Sequence, residues 1–178
     1  MANGNFGERE PALILLSGLP GAGKTTFALA LLKRLAAEHI ESDAIQLDLA
    51  PQPTFSFVES GRVFGRVDGA ARRALAAGRH ALVDATNLTR QDRKRFLRLA
   101  GELGARVIAV RVVAPEATIR ERLSAPREGF SKAGNEVYER MRSRPQPFTL
   151  PVVVVDTRFP LEPTIKLVMS LACALGDE

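Results

Sequence analysis

Four short, largely apolar runs set the pattern of this chain, and they lie at about 12–17, 80–84, 105–113 and 152–156. Runs of this length and composition are typical of parallel strands that are buried on both faces. A further strand is predicted at 44–48, where the sequence reads Ala-Ile-Gln-Leu-Asp. The pattern therefore predicts five strands.

Segments with helical periodicity separate these strands. Gly78 and Gly104 are natural helix ends, Thr89 is a natural helix cap, and Pro115 suits the first turn of a helix. The predicted helices cover about 24–38, 63–77, 89–99, 115–123, 135–142 and 161–175. Strands that alternate with helices indicate an α/β fold, with a parallel sheet, right-handed crossovers and helices on both faces.

The length of 178 residues suits one domain with a sizeable core. Residues 1–10 are polar and rich in Gly and Asn, so we expect a flexible N-terminal tail. Residues 11–178 are then expected to form a single three-layer domain.

The stretch Gly18–Thr25 fits the phosphate-binding pattern G-x-x-x-x-G-K-[ST], and it lies between a predicted strand and a predicted helix. Its glycines let backbone N–H groups face an anion at a helix N-terminus. Lys24 is expected to reach the β- and γ-phosphates, and the Thr25 hydroxyl is expected to bind Mg²⁺. The predicted nucleotide-binding residues are Pro20, Gly21, Ala22, Gly23, Lys24, Thr25 and Thr26.

Two carboxylates end predicted strands at the edge of the sheet where ligands bind. Asp84 is the candidate partner of Mg²⁺, and Asp48 is the candidate general base for an acceptor hydroxyl. Their alternative roles are a turn-stabilising carboxylate for Asp84 and a helix cap or solvated loop residue for Asp48. Asp84 precedes Ala85 rather than the water-activating Glu of hydrolytic motors, and no Asn-Lys-x-Asp stretch for guanine is present. These features favour a kinase with an alcohol acceptor.

The segment 120–144 alternates basic and acidic residues around Pro126 and Gly129. We predict a small lid at about 124–134 that closes over the phosphates. Arg122 and Arg127 are the arginines expected to neutralise charge in phosphoryl transfer.

Charge and cysteine content add little to this picture. The net charge of +5 and the basic helix at 89–98 suit a polyanionic partner, although arginine-rich composition can also reflect genome base bias. We expect the basic side chains of this helix to lie outside its buried stripe. The single Cys173, the lack of a visible N-terminal signal and the lack of a membrane-length apolar run favour a cytoplasmic protein with no membrane partner.

Two segments carry a family resemblance. Residues 14–25, and the stretch Val83-Asp84-Ala85-Thr86-Asn87-Leu88-Thr89 followed by Arg93, resemble the P-loop kinases related to polynucleotide 5′-kinase. The resemblance implies a three-layer P-loop NTPase fold with sheet order 2-3-1-4-5, an ATP donor and lid arginines on the phosphates. It also implies Asp48 as the general base, and we predict that Asp48 and Asn87 bind the acceptor.

One departure from the family leaves the acceptor open. Polynucleotide kinases usually carry an arginine three positions after the base, and Pro51 stands there if Asp48 is the base. Arg62, Arg66 or Arg72 could replace that contact. Our first hypothesis is an ATP-dependent kinase for the 5′-OH of a polynucleotide. The alternatives are a kinase for a sugar, nucleoside or antibiotic, and a nucleotide-binding regulatory protein with little catalysis.

Overall fold

The computed structural model describes residues 10–50, 57–125, 130 and 134–174. The strands within these ranges are β1 (Ala12–Ser17), β2 (Ala37–Glu41), β3 (His80–Asp84), β4 (Arg106–Val113) and β5 (Val152–Asp156). They form one parallel sheet in the order β2-β3-β1-β4-β5, as predicted. β1 lies at the centre of the sheet, and all of its residues are buried.

The helices cover both faces of this sheet and make two separate cores. Their bounds are α1 (Lys24–Leu32), α2 (Ser42–Leu49), α3 (Phe57–Ala76), α4 (Arg90–Glu102), α5 (Glu116–Ser124), α6 (Asn135–Met141) and α7 (Glu162–Cys173). Side chains of α1, α5, α6 and α7 pack on one face of the sheet, and those of α3 and α4 pack on the other. None of the helices in the described ranges is long and apolar enough to cross a bilayer.

The second strand is the main error of the sequence-based prediction. The segment predicted as strand 44–48 is part of helix α2, and β2 occupies 37–41, where the end of the first helix was predicted. β2 is a strand because it pairs along its whole length with β3, and Glu41 lies opposite Asp84. It buries only Ile40 fully, so its apolar pattern is too weak to predict a strand.

Most other boundaries agree with the prediction. Gly78, just after α3, has a φ of 69°, which is the left-handed conformation expected of a glycine at a helix end. Thr89 caps α4 in a reciprocal arrangement: its side chain accepts from the Asp92 N–H, and the Asp92 carboxylate accepts from the Thr89 N–H. The lid predicted at 124–134 and the tail at 1–10 lie largely outside the described residues.

Arg93 of α4 is buried, although the basic residues of this helix were predicted to lie outside the buried stripe. Its guanidinium donates to the carbonyls of Asn87, Leu88, Gln146 and Pro147 at 2.7–3.0 Å. These four backbone acceptors compensate for the burial of the charged guanidinium. Through the same hydrogen bonds, Arg93 holds the segment before β5 against the turn after β3.

We expect Arg93→Ala to lower the free energy of unfolding by about 3 kcal/mol, because it removes four hydrogen bonds to backbone carbonyls and leaves the space of a buried side chain empty. Urea denaturation measures this change. Arg98→Ala on the same helix is the control: the Arg98 side chain is 74% exposed, so its loss should change stability little. Equal losses in the two variants would contradict the role given to Arg93.

Candidate active site

The loop between β1 and α1 has the backbone geometry of an anion site. Gly21 and Gly23 adopt φ values of 78° and 99°, which residues with side chains rarely adopt. At Gly18 an added Cβ would lie 2.5 Å from the backbone oxygen of Val112. Glycine is therefore required at these positions, and it lets the N–H groups of the loop face a phosphate at the start of α1.

The turn after β3 supports this loop. The Asn87 side chain donates to the Leu16 carbonyl at 2.7 Å, and the Asn87 carbonyl accepts from the Ser17 hydroxyl at 3.0 Å. The Gly18 N–H donates to the Thr86 carbonyl at 3.0 Å. Asn87 is fully buried and has a φ of 42°. Its predicted contact with the acceptor does not fit this placement, because its side chain holds the end of β1 instead.

A cleft of about 610 Å³ lies beside this loop and extends to α2 and α3. Its size is typical of pockets that enclose one small molecule. The phosphate loop and the first turn of α1 supply one side of it, with Pro20, Gly21, Gly23, Lys24, Thr25 and Thr26. The cleft thus contains most of the predicted nucleotide-binding residues, and the two predicted metal residues, Thr25 and Asp84, both line it.

Asp84 ends β3 beside Glu41, its partner in the register with β2. The Asp84 Oδ2 is buried and accepts no hydrogen bond from the described residues, and the His39 Nε2 lies 3.5 Å away. Burial raises the pKa of the Glu41 carboxyl, and the nearby charges of Asp84 and Asp43 raise it further. The site thus concentrates negative charge at the ends of two neighbouring strands.

These residues fit a magnesium ion that is held mainly by phosphates. Mg²⁺ prefers oxygen ligands and is usually bound through one or two protein groups together with substrate phosphates. The Thr25 hydroxyl and the buried Asp84 carboxylate belong to the same cleft. The described residues contain no group of three or more His, Cys, Asp or Glu side chains that could hold a metal ion.

The structure does not place Asp48 at a strand end. Asp48 lies near the end of α2, its side chain is 70% exposed, and it pairs with Arg66 at 2.9 Å. It does not line the cleft, so the prediction of Asp48 as the general base loses its structural basis together with the predicted strand. Asp43, in the first turn of α2, lines the cleft instead.

Polynucleotide kinases usually carry an arginine three positions after the base. With Asp43 as the candidate base in place of Asp48, a different residue stands at that position. That residue is Gln46 and not Pro51, and it also lines the cleft. Two of the arginines that could have replaced the family's arginine are engaged at the surface, Arg66 with Asp48 and Arg72 with Glu102.

Arg122 of α5 lies against the phosphate loop. Its guanidinium donates to the Thr157 hydroxyl at 2.8 Å and to the Gly21 and Ala22 carbonyls at 3.3 and 3.4 Å. The Thr157 hydroxyl in turn donates to the Ala22 carbonyl at 2.8 Å. Arg127, the second predicted lid arginine, lies outside the described residues.

Sequence reasoning missed one side of the cleft, which includes Glu41, Asp43, Gln46 and Phe64. One signal was available. Ser42 and Asp43 both favour helix starts, so together they mark a boundary between a strand that ends at Glu41 and a helix. Phe64 carried no comparable signal, because a single aromatic residue on a helix is usually part of the core.

The fold and the loop together define a P-loop nucleotide-binding protein. A family model described as an AAA domain matches residues 13–148, which is more than half of the chain. The chain therefore belongs to that family.

Two similar proteins are kinases by name. L-seryl-tRNA(Sec) kinase of Methanococcus maripaludis is 28% identical over 153 residues, which are 82% of this chain but only 59% of that protein. A Sinorhizobium meliloti gluconokinase has a TM-score of 0.66 at 17% identity, with 92% of this chain and 93% of that chain covered. A third relative, Chaetomium thermophilum Kti12 in complex with ADP-AlF3, has a TM-score of 0.71 at 17% identity, with 91% and 99% covered. At these identities the two structures show a shared fold.

We expect Gly23→Ala to weaken ATP binding by at least about tenfold, which corresponds to about 1.4 kcal/mol. The variant would have to keep a φ of 99°, and its Cβ would lie 3.0 Å from the Thr157 Cγ2. Calorimetric titration with ATP and Mg²⁺ measures the affinity. Gly65→Ala is the control, because an added Cβ there meets nothing within 4 Å. Unchanged affinity in Gly23→Ala would contradict the assigned loop geometry.

Proposed function

We propose that this chain is an ATP-dependent kinase that transfers the γ-phosphoryl group to a hydroxyl acceptor, with Asp43 as the general base. The observation that carries the proposal is the shared cleft, which Lys24, Thr25 and Asp43 all line. A phosphate loop alone would suit any nucleotide-binding protein. A carboxylate in the same cleft, outside the loop, favours transfer to an alcohol.

In the proposed reaction the Asp43 carboxylate accepts the proton of the acceptor hydroxyl. The hydroxyl oxygen forms a bond to the γ-phosphorus, and the bond from this phosphorus to the β–γ bridging oxygen breaks, which releases ADP. Lys24 and the loop N–H groups stabilise charge on the phosphates, and Arg122 lies close enough to the loop to contribute. The side chains therefore act mainly by positioning the reactants and neutralising their charge.

Magnesium has a defined place in this proposal. The Thr25 hydroxyl and Asp84 would hold the ion, and bound Mg²⁺ would neutralise charge on the β- and γ-phosphates. Arg127 keeps its proposed role as a second lid arginine.

Two classes of acceptor are candidates. The size of the cleft supports a small hydroxyl-bearing molecule. The 5′-OH of a polynucleotide is the second candidate, and the exposed basic residues Arg90, Lys94 and Arg98 of α4 support it. The Methanococcus relative, by its name, acts on an aminoacyl-tRNA, which also supports a nucleic-acid acceptor.

Asp43→Asn tests the general base. We expect it to lower kcat by about 10²–10⁴-fold and to leave the affinity for ATP nearly unchanged, because an amide cannot accept the proton. Acceptor-dependent release of ADP measures kcat, and calorimetry measures the affinity for ATP. Asp48→Asn is the matched control on the same helix, since Asp48 lies outside the cleft. A large loss in Asp48→Asn with none in Asp43→Asn would reverse the assignment.

Transfer from γ-labelled ATP to 5′-OH oligonucleotides and to a panel of sugars and nucleosides separates the two acceptor classes. A polynucleotide acceptor should show a KM that rises steeply with salt, because binding to its phosphates releases counterions. Over the range from about 50 to 200 mM salt, a protein that makes several phosphate contacts loses about 10³–10⁵-fold in affinity for a nucleic acid. An uncharged small acceptor should show a KM that changes little over the same range. The labelled product identifies the class directly.

A further inference from the structure

The wall of the cleft formed by α2 and α3 contains an oriented amide. The Gln46 Nε2 donates to the Glu59 Oε1 at 2.7 Å, and this bond joins the two helices. A carboxylate can only accept hydrogen bonds, so the NH₂ side of the amide must face Glu59. The carbonyl oxygen of the amide then points away from Glu59. Gln46 lines the cleft, and its amide oxygen is the atom left to accept a hydrogen bond from a ligand.

The other polar groups on this side are hydroxyls and carboxylates. Ser42, Ser60 and Thr86 can each accept or donate a hydrogen bond, and Glu41 and Asp43 lie at the start of α2. A hydroxyl group can donate to the carboxylates and can accept from the Ser and Thr side chains. A phosphate at this position would meet the carboxylates of Glu41 and Asp43, and this like charge disfavours binding.

Within the part of the chain that the structure describes, cations are scarce on the side of the cleft formed by α2 and α3. Among the described lining residues, Lys24 and Arg122 are the only cations, and both belong to the phosphate-loop end. Arg66 pairs with Asp48 outside the cleft. Arg95 does not line the cleft either, since its guanidinium packs 4.6 Å from the centre of the Phe64 ring.

Apolar side chains complete the wall. Val63 and Phe64 of α3 and Val137 and Met141 of α6 all line the cleft. With Arg95 packed against it, the Phe64 ring is held in place and offers apolar surface to a ligand. Apolar surface with a few oriented polar groups is typical of sites for small ligands.

We propose that the acceptor is an uncharged, hydroxyl-bearing ring compound without a phosphate group, and that Gln46, oriented by Glu59, is a specificity-determining residue. This inference rests on the kinase activity proposed above. It narrows the acceptor to the chemistry of an unmodified sugar or nucleoside, and it disfavours both phosphorylated metabolites and polynucleotide ends.

Acceptor pairs that differ by one phosphate test the inference in the wild-type protein. The pairs are ribose and ribose 1-phosphate, glucose and glucose 1-phosphate, and adenosine and adenosine 3′-monophosphate, which mimics a polynucleotide end; the phosphorylated member of each pair keeps its primary hydroxyl. Coupled detection of ADP gives kcat/KM for each. In any pair that is turned over, we expect the unphosphorylated member to be favoured by at least about tenfold, because the charged member meets like charge in the cleft.

The Gln46→Arg variant should reverse this preference, because arginine binds phosphate through paired hydrogen bonds. Glu59→Ala should raise the KM for the unphosphorylated acceptor and leave the KM for ATP unchanged, because it releases the amide. Gln91→Arg is the matched control: Gln91 is exposed on α4 and does not line the cleft. Affinity for ATP verifies that each variant is folded.

The outcomes separate the two levels of the proposal. Turnover confined to phosphorylated members or to oligonucleotides would overturn the acceptor inference and leave the kinase proposal intact. Equal effects of Gln46→Arg and Gln91→Arg would overturn the role of Gln46. Absence of transfer to any hydroxyl by protein that binds ATP would overturn the proposed kinase, and the inference with it.

Discussion

The end of β1 is tied to the turn after β3 by the amide of Asn87, and the position of the phosphate loop depends on that link. The side chain of Asn87 holds the Leu16 carbonyl, its own carbonyl holds the Ser17 hydroxyl, and the neighbouring Thr86 carbonyl holds the Gly18 N–H. Arg93 donates to the same Asn87 carbonyl. The loop therefore leaves the sheet in a fixed direction, because a buried network of polar groups that hold one another allows few alternatives.

The parts of the fold that could be predicted are those with a strong local signal. β1, β3, β4 and β5 are apolar runs, and the phosphate loop has a fixed spacing of glycines. β2 could not be predicted in the same way, because it has one fully buried residue, Ile40, and becomes a strand through its pairing with β3. That pairing joins residues about forty positions apart, which no local pattern records.

The error in β2 carried over to the site. Because the strand was placed too late in the chain, the candidate base moved from Asp43 to Asp48, and the residue three positions further on moved with it. The expectation for Asn87 failed for a different reason. A polar residue in a turn after a strand is usually exposed, whereas Asn87 is fully buried and its side chain is hydrogen-bonded to β1. The phosphate-binding half of the cleft was predictable from sequence, and the other half required the packing of α2 on α3.

The chain passes directly from Glu41 at the end of β2 into α2, with no linker between strand and helix. As a result, the positions of Asp43 and Gln46 depend on different contacts. Asp43 lies in the first turn of α2, so its position is set by the end of β2 in the sheet. Gln46 lies almost one turn further along α2 and is held by its contact with α3. Substitutions on the facing sides of α2 and α3 can thus alter the polar lining of the cleft without moving Asp43, the proposed base. In this arrangement the proposed acceptor specificity and the proposed base can change independently of each other.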